Sequence, residues 1–390
     1  MSALTAIGLM SGASLDGVDA AILSTDGENI VEPGPALHSP YDRDLKIAIR
    51  RAIKAALEGR DTAIEIGKAA ADVTEAHVVA VRKLVETAGL KPRDIDVIGF
   101  HGQTILHRPA RSPESVGRTW QVGDGALIAA ETGIDVVDGF RLADVAAGGE
   151  GAPLAPVYHA ALARRLGRKG AVGVVTLGKV AGVSYIPARG GDEEIVAFDC
   201  GFGVGLIDEW MEFKAGQPMD KDGALARSGR VHAEVLRMML LNPYMRRKPP
   251  KSLDRYDFKL DPVLHLSAAD GAATLTAFAA ACVRASVELL PEPPATWIVC
   301  GGGRRNPALM EALETALSAS VLSAEAAGWR GDTLDAECIA YLSVRSLKKL
   351  PLSFPRTTRV PRPTTGGVLR RTARRDATPA GGMDAGPARA

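Results

Sequence analysis

ALTAIGLMSGASLDGVDAAIL, residues 3–23, is an apolar run, a glycine-rich bend and a second apolar run. Ala3 to Leu9 reads as a strand and Val18 to Leu23 as the strand that returns beside it. Ser11-Gly12-Ala13-Ser14-Leu15-Asp16-Gly17 supplies the turn between them. AVGVVTLGKVAGVSYI, residues 171–186, has the same shape: Ala171 to Val175, a turn around Gly178, then Val180 to Ile186. Two such openings imply two related halves. Elsewhere short apolar runs alternate with longer helical stretches, so the fold class is α/β. Ile64 to Leu90 places Ile66, Ala69, Val73, Ala76, Ala80 and Leu84 on one helical face, with Gly89 near its end. Ser267 and Asp270 read as a capping box ahead of Leu275, Phe278, Cys282, Ala285 and Leu289. Asn306-Pro307 reads as an N-cap and first helical residue, and Asp332 to Leu347 as a last long helix.

At roughly 150 residues per domain, 390 residues suggest two domains. Apolar residues at 46% and charged residues at 24% are ordinary for a soluble globular protein. The 47 basic and 46 acidic side chains leave a net charge of +1, which gives no support for binding nucleic acid or a membrane surface. No run of 18 apolar residues is present, so no spanning helix is expected. The N-terminus lacks the basic region of a signal peptide. Cys200, Cys282, Cys300 and Cys338 show no CxxC spacing, which argues against zinc or a disulfide framework and fits a cytoplasmic location. From Arg370 onward the chain is Arg, Ala, Gly and Pro without periodicity, and is expected to be a disordered tail.

Four stretches could carry chemistry. In the first turn, Ser11 to Gly17 leave backbone N–H groups free to face an anion, and Asp16 and Asp19 follow at once. That pattern suits a magnesium-bound phosphate, although an ordinary hairpin explains it too. In Phe198-Asp199-Cys200-Gly201-Phe202-Gly203 an aspartate closes an apolar run. Partial desolvation at a strand end makes Asp199 a general-base candidate, and an Asx-turn or helix cap is the plain alternative. Gly301-Gly302-Gly303 follows the strand Trp297-Ile298-Val299 and lets the backbone approach a nucleotide base or ribose, as it also would in a simple turn. The densest polar stretch holds His101, Gln103, Thr104 and His107, then Gln121 and Asp124, Arg141 and Asp144, and Gly148 to Leu154. Several such clusters in one chain suit a cleft for a polar small molecule.

The motifs MSGASLDGVDAAIL, IGFHGQTILHRP, QVGDGALIA, DVAAGGEGAPLAP, FDCGFGVGLIDEW, PPKSLDR, WIVCGGGRRNP and VPRPTTGGVL stand in the order found in anhydro-N-acetylmuramic acid kinases. The chain resembles that family over about residues 5–370. The resemblance implies two ribonuclease-H-like lobes of the hexokinase, Hsp70 and actin superfamily, with the cleft between them. The first lobe would span 1–165, the second 166–370, and the tail 371–390. It implies a cytoplasmic kinase of cell-wall recycling that uses ATP and Mg2+, and a homodimer. Water would open the 1,6-anhydro ring and O6 would take the γ-phosphoryl group, giving N-acetylmuramic acid 6-phosphate. Asp199 matches the family's base. Gly12, Ala13, Ser14, Leu15, Asp16, Gly17, Val18 and Asp19 match its first phosphate turn, with Asp16 or Asp19 near the metal. Gly201 and Gly203 fall at its second turn and Gly301, Gly302 and Gly303 on its adenosine side. His101, Gln103, Gln121, Asp124, Arg141, Asp144, Ala152 and Pro153 would surround the sugar.

The chain departs from the family pattern at cleft-facing turns. Ala13 stands for threonine, Gly139 for aspartate, Thr176 and Gly182 for asparagine, and Lys179 for glycine. Cys200, Phe202 and Val204 stand for threonine, proline and asparagine. Two readings follow: a sugar kinase, or a weakened relative that binds sugar or nucleotide without turnover. The reading adopted for Lys179 turns its ammonium into the cleft, where it would offset the hydroxyl lost at Ala13.

Overall fold

In the computed structural model, residues 2–109, 117–167, 169–253 and 258–372 are described. The expected tail lies almost wholly outside them. The first opening is the hairpin β1 (Leu4–Ser11) and β2 (Gly17–Thr25), continued by β3 (Val31–Pro40). After the helices α1 (Arg43–Leu57) and α2 (Ile64–Thr87), β4 (Val97–Arg108) pairs parallel to β1. Next come β5 (Arg118–Val122), α3 (Gly125–Thr132), β6 (Val136–Asp138) and the short α4 (Leu142–Ala146). Helix α5 (Pro156–Arg165) leads into the second opening, β7 (Val172–Leu177) and β8 (Val180–Ile186), followed by β9 (Val196–Phe202). After β9 come the helices α6 (Gly205–Ala215), α7 (Ala224–Ser228), α8 (Ala233–Leu240) and α9 (Ala268–Ser286). They precede β10 (Thr296–Cys300), α10 (Pro307–Leu317) and β11 (Ser320–Ser323). The last described elements are α11 (Leu334–Leu347), α12 (Pro355–Thr358) and β12 (Val368–Arg370).

Among the described residues the strands form two sheets, ordered β12-β6-β4-β1-β2-β3 with β5 on β4, and β11-β10-β7-β8-β9. The run β6-β4-β1-β2-β3 has the same order and directions as β11-β10-β7-β8-β9. The two halves are therefore one unit built twice, each an antiparallel meander extended by parallel strands, which is the ribonuclease-H-like arrangement. Helices α1 and α2 bury Ile49, Val73 and Leu84 against Ile7, Leu9 and Ile98. Each such side chain removed from water contributes about 1.5–3 kcal/mol. In the second lobe α9 buries Ala279, Ala280 and Val283 against Phe198 and Val183. This helix is long and apolar enough to cross a membrane, which the sequence reading did not anticipate, yet it is a core helix largely buried by its neighbours.

The residues that end the expected second lobe, 166–370, do not stay with the second sheet. Strand β12 pairs with β6 of the first sheet, and α11 packs against β1, β2 and β4. The closing residues thus return to the first lobe. Glycines allow it: a Cβ at Gly8 would lie 1.8 Å from the Ala336 carbonyl oxygen, and one at Gly99 2.5 Å from that of Ile339. Only bare backbone in β1 and β4 lets α11 lie so close to the sheet.

Candidate active site

The β1–β2 turn projects at the end of β1. Gly12 is half-buried and Ala13 and Ser14 are exposed; their three amides carry no intramolecular bond among the described residues. Ser14 Oγ donates to Asp16 Oδ1 at 2.7 Å. Leu15 bends the chain at φ +58° and plugs the first core, and Val18 is fully buried. A Cβ at Gly17 would lie 2.3 Å from the Ser39 carbonyl oxygen. Leu15, Gly17 and Val18, expected to bind phosphate, are placed as the support of the turn; the groups that face outward are Gly12, Ala13, Ser14 and Asp16.

Asp19 points from β2 beside this turn, with Oδ1 2.8 Å from His38 Nδ1. Burial raises its carboxyl above the usual range, His38 counteracts this, and the charges of Asp16 and Asp332 raise it further. Asp335, in the first turn of α11, is open to solvent on one side, and the protein around it together with Asp19 raises its carboxyl. The sequence reading missed both Asp332, just before α11, and Asp335 within it. Gly8 and Gly99, glycines inside strands, were the signal that a helix lies there. Among the described residues no group of three His, Cys, Asp or Glu side chains forms a metal cage. Asp332 is held by Arg304 and Arg305, whereas the carboxylates of Asp16, Asp19 and Asp335 offer oxygen ligands of the kind a hard cation takes, with water and phosphate completing its shell.

Gly201 and Gly203 also serve packing. A Cβ at Gly201 would lie 2.6 Å from Cys282 Sγ, and one at Gly203 2.1 Å from the Gly178 carbonyl oxygen. The amides of Gly203 and Val204 donate to the carbonyls of Lys179 and Gly178 at 3.2 and 2.8 Å. They are committed to the β7–β8 turn and not free for phosphate as expected. Lys179 is exposed in that turn, and the carboxylate its charge acts on is Asp208 of α6, which burial pushes up to about 6. At the end of β10, Gly301 (φ +77°) and Gly303 seat their turn on Leu177, whereas a side chain at Gly302 would meet open space. Of the three, Gly302 is the one open to a ligand. Arg304, deeply buried, holds this turn by donating to the Gly301 carbonyl at 3.0 Å and pairing with Glu325 and Asp332.

Asp199 lies inside β9, not at its end. A β-bulge opposite Ala181 and Gly182 disturbs the pairing there, and such a bulge re-aims a side chain. Leu253 N–H donates to Asp199 Oδ2 at 2.9 Å. Among the described residues no hydrogen bond reaches Oδ1, which faces Gly182; a Cβ there would lie 3.6 Å away. Burial raises the carboxyl from 3.8 to about 6, Leu253 and the cations Lys251 and Arg141 oppose this, and Glu150 adds to it. Asp199 is thus ionised at neutral pH and still a competent proton acceptor.

Arg141 is lowered to about 10 by burial, against the attraction of Asp144 and Asp199, and stays cationic at neutral pH. Its Nε donates to His101 Nε2 at 3.2 Å. Burial and Arg141 together lower His101 to about 3, so His101 is a neutral acceptor that orients the guanidinium. Asp144 is buried, with its oxygens accepting from Gly151 N–H at 2.6 Å and Thr358 Oγ1 at 2.5 Å. It fixes the loop that ends in Ala152-Pro153. Gln103, expected beside the sugar, is 1% exposed and donates to the Gly12 carbonyl at 3.3 Å, beneath the β1–β2 turn. Gln121 donates to Thr119 Oγ1 at 2.8 Å, and Thr119 meets His107 at 3.2 Å. Asp124 caps α3 through the amides of Ala126 and Leu127, so the N-terminus of that helix occupies the oxygen expected to bind sugar. Arg141, His101, Asp144, the 148–153 loop and Asp199 gather at one place; Asp124 does not join them.

Two ribonuclease-H-like lobes with glycine turns and a half-buried carboxylate gathered between them are the architecture of the two-lobed ATP-dependent phosphotransferases. The model of one family, described as anhydro-N-acetylmuramic acid kinase, matches residues 4–371. The anhydro-N-acetylmuramic acid kinase of Rhodospirillum rubrum is 49% identical over 366 residues, 94% of this chain and 94% of that protein. That of Rhizorhabdus wittichii is 49% identical over 373 residues, 95% of this chain and 100% of that protein. Among solved structures, component A of the (R)-2-hydroxyglutaryl-CoA dehydratase of Acidaminococcus fermentans matches at TM-score 0.47 and 13% identity, over 87% of this chain and 99% of that one. That last similarity adds nothing to the assignment. The chain belongs to the anhydro-N-acetylmuramic acid kinase family.

Proposed function

We propose that this protein opens 1,6-anhydro-N-acetylmuramic acid with water and transfers the γ-phosphoryl group of ATP to the freed O6. The products are N-acetylmuramic acid 6-phosphate, ADP and one proton. The observation that carries the reading is Asp199, with Oδ2 anchored by Leu253 N–H and Oδ1 facing the space beside Gly182. Oδ1 takes a proton from water as the water oxygen bonds to C1. The C1–O6 bond breaks, and O6 bonds to the γ-phosphorus as the bond from that phosphorus to the β,γ-bridging oxygen breaks. Arg141 binds the polar sugar and also holds Asp199 ionised. Gly12, Ala13 and Ser14 present amides to the phosphates, and Gly302 leaves room for the nucleoside. Asp16 and Asp19 would hold Mg2+, which neutralises charge on the phosphates when bound. Positioning and charge stabilisation carry most of phosphoryl transfer, which tolerates the missing hydroxyl at Ala13. Asp199, aimed by a bulge and with Oδ1 bonded to none of the described residues, favours turnover over binding alone.

The test is ADP release from ATP and Mg2+ with and without the anhydro sugar. Release that requires the sugar and is lost in Asp199→Asn supports the reading. Release that ignores the sugar, or survives the substitution, refutes it.

A further inference from the structure

Glu150 is 2% exposed at the meeting of the two lobes, and the proton transfer does not use it. Its Oε2 accepts from Ser252 Oγ at 2.5 Å, its Oε1 pairs with Arg359 at 2.7 Å, and its amide donates to the Thr358 carbonyl at 2.7 Å. Glu150 comes from the loop after α4 of the first lobe and Ser252 from the second. The residues on either side of Ser252 both grip the base: Asp199 N–H donates to the Lys251 carbonyl at 3.0 Å, and Leu253 N–H to Asp199 Oδ2 at 2.9 Å. The grip is anchored behind as well. Lys251 Nζ donates to the Tyr244 carbonyl at 3.1 Å, and Tyr244 Oη donates to the Asp199 carbonyl at 2.7 Å.

We propose that Glu150 is a positioning residue: by holding Ser252 it keeps the Leu253 amide on Asp199 Oδ2 and so leaves Oδ1 as the oxygen that meets water. The inference rests on Asp199 being the base. Without the anchor the carboxylate turns about its terminal bond and no single oxygen is presented. Displacing a reacting group by about 1 Å costs on the order of a hundredfold in rate. Glu150 also acts by charge. Asp199 is faced by Glu150, by Arg141 from before α4 and by Lys251, with Cys200 beside it on β9; Glu150 is faced by Arg359. Among these groups the carboxylate of Glu150 favours protonation of Asp199.

The experiment measures kcat, KM and the pH profile of kcat/KM for the parent, Glu150→Ala, Glu150→Gln, Ser252→Ala and the double variant Glu150→Ala with Ser252→Ala. Glu150→Ala and Ser252→Ala should each lower kcat about ten- to a hundredfold, with a smaller change in KM. The double variant should be no worse than the poorer single one, because both break the same link. Glu150→Gln retains an acceptor for Ser252 and removes the charge. It should keep more kcat than Glu150→Ala and move the acid limb of kcat/KM to lower pH. Multiplying losses in the double variant, or an acid limb unmoved by Glu150→Gln, would overturn the proposal. Ser252→Ala keeps the test open if Glu150→Ala does not fold. Asp199→Asn separates the two claims: an active Asp199→Asn defeats the base assignment, whereas an inert one with multiplying losses defeats the positioning role alone.

Discussion

Replacing Asp199 by asparagine should cripple the enzyme and stabilise the protein, and the gain should grow with pH. The folded carboxyl is raised from 3.8 to about 6, first by burial and then by Glu150, against the Leu253 amide and the nearby cations. A raised carboxyl binds its proton more tightly in the folded chain than in the unfolded one. Below the unfolded value both states are protonated and nothing is lost. Stability then falls as pH rises through the window from 3.8 to about 6, and levels off above it. The shift of roughly two units corresponds to about 3 kcal/mol at pH 8 and about half of that at pH 5. Solvent reaching the cleft edge of the carboxylate screens the charge, so about 3 kcal/mol is a ceiling. Asparagine has the same shape, its carbonyl oxygen can accept from Leu253 N–H, and it carries no charge. Urea unfolding of parent and Asp199→Asn at the two pH values reads the difference directly. A stability gain at pH 8 that exceeds the gain at pH 5, with turnover reduced about a hundredfold or more, is the expected result. Equal stabilities at both pH values would show that Asp199 is not held ionised against its surroundings, and the reasoning about the base would fail with it.

Asp16→Ala should weaken ATP binding in the presence of Mg2+ and leave binding in its absence nearly unchanged; calorimetry that finds equal affinities in both conditions would remove Asp16 from the phosphate site. Gly203→Ala places a Cβ 2.1 Å from the Gly178 carbonyl oxygen, so it should lower stability by about 1–3 kcal/mol and raise the KM for ATP by deforming the turn. An unchanged melting temperature would contradict the packing role. Arg141→Ala should raise the KM for the sugar about tenfold or more, as the loss of a charge-assisted hydrogen bond does, with a smaller effect on the KM for ATP. A larger effect on ATP would place Arg141 on the nucleotide side.

What could be read in the sequence was local. The two hairpins, the Asn306 cap that accepts from Leu309 N–H and the Ser267 cap that accepts from Asp270 N–H follow from residues a few positions apart. Asp270 does not complete the capping box as expected, because its carboxylate accepts from Arg230 N–H of a distant segment. The glycines show the same limit from another side. A glycine that makes room for phosphate and one that makes room for a neighbouring carbonyl both need a missing Cβ, so Gly17 and Gly203 resembled ligand-facing residues. The approach of α11 to Gly8 and Gly99 decides where Asp332 and Asp335 stand, and the return of β12 to β6 decides the lobe boundary. Both depend on pairings between residues hundreds of positions apart in the chain. The link from Glu150 to Ser252 joins the two lobes and has no local signature at all.

The central claim concerns one reaction, in which ring opening by water and phosphorylation of O6 occur together. Mass analysis of the sugar after incubation with 1,6-anhydro-N-acetylmuramic acid, ATP and Mg2+ tests it most directly. The account predicts a product that has gained one water and one phosphoryl group, formed in equal amount with ADP and absent with Asp199→Asn. A phosphorylated sugar with its anhydro ring intact, or ADP formed with no change in the sugar, would contradict it.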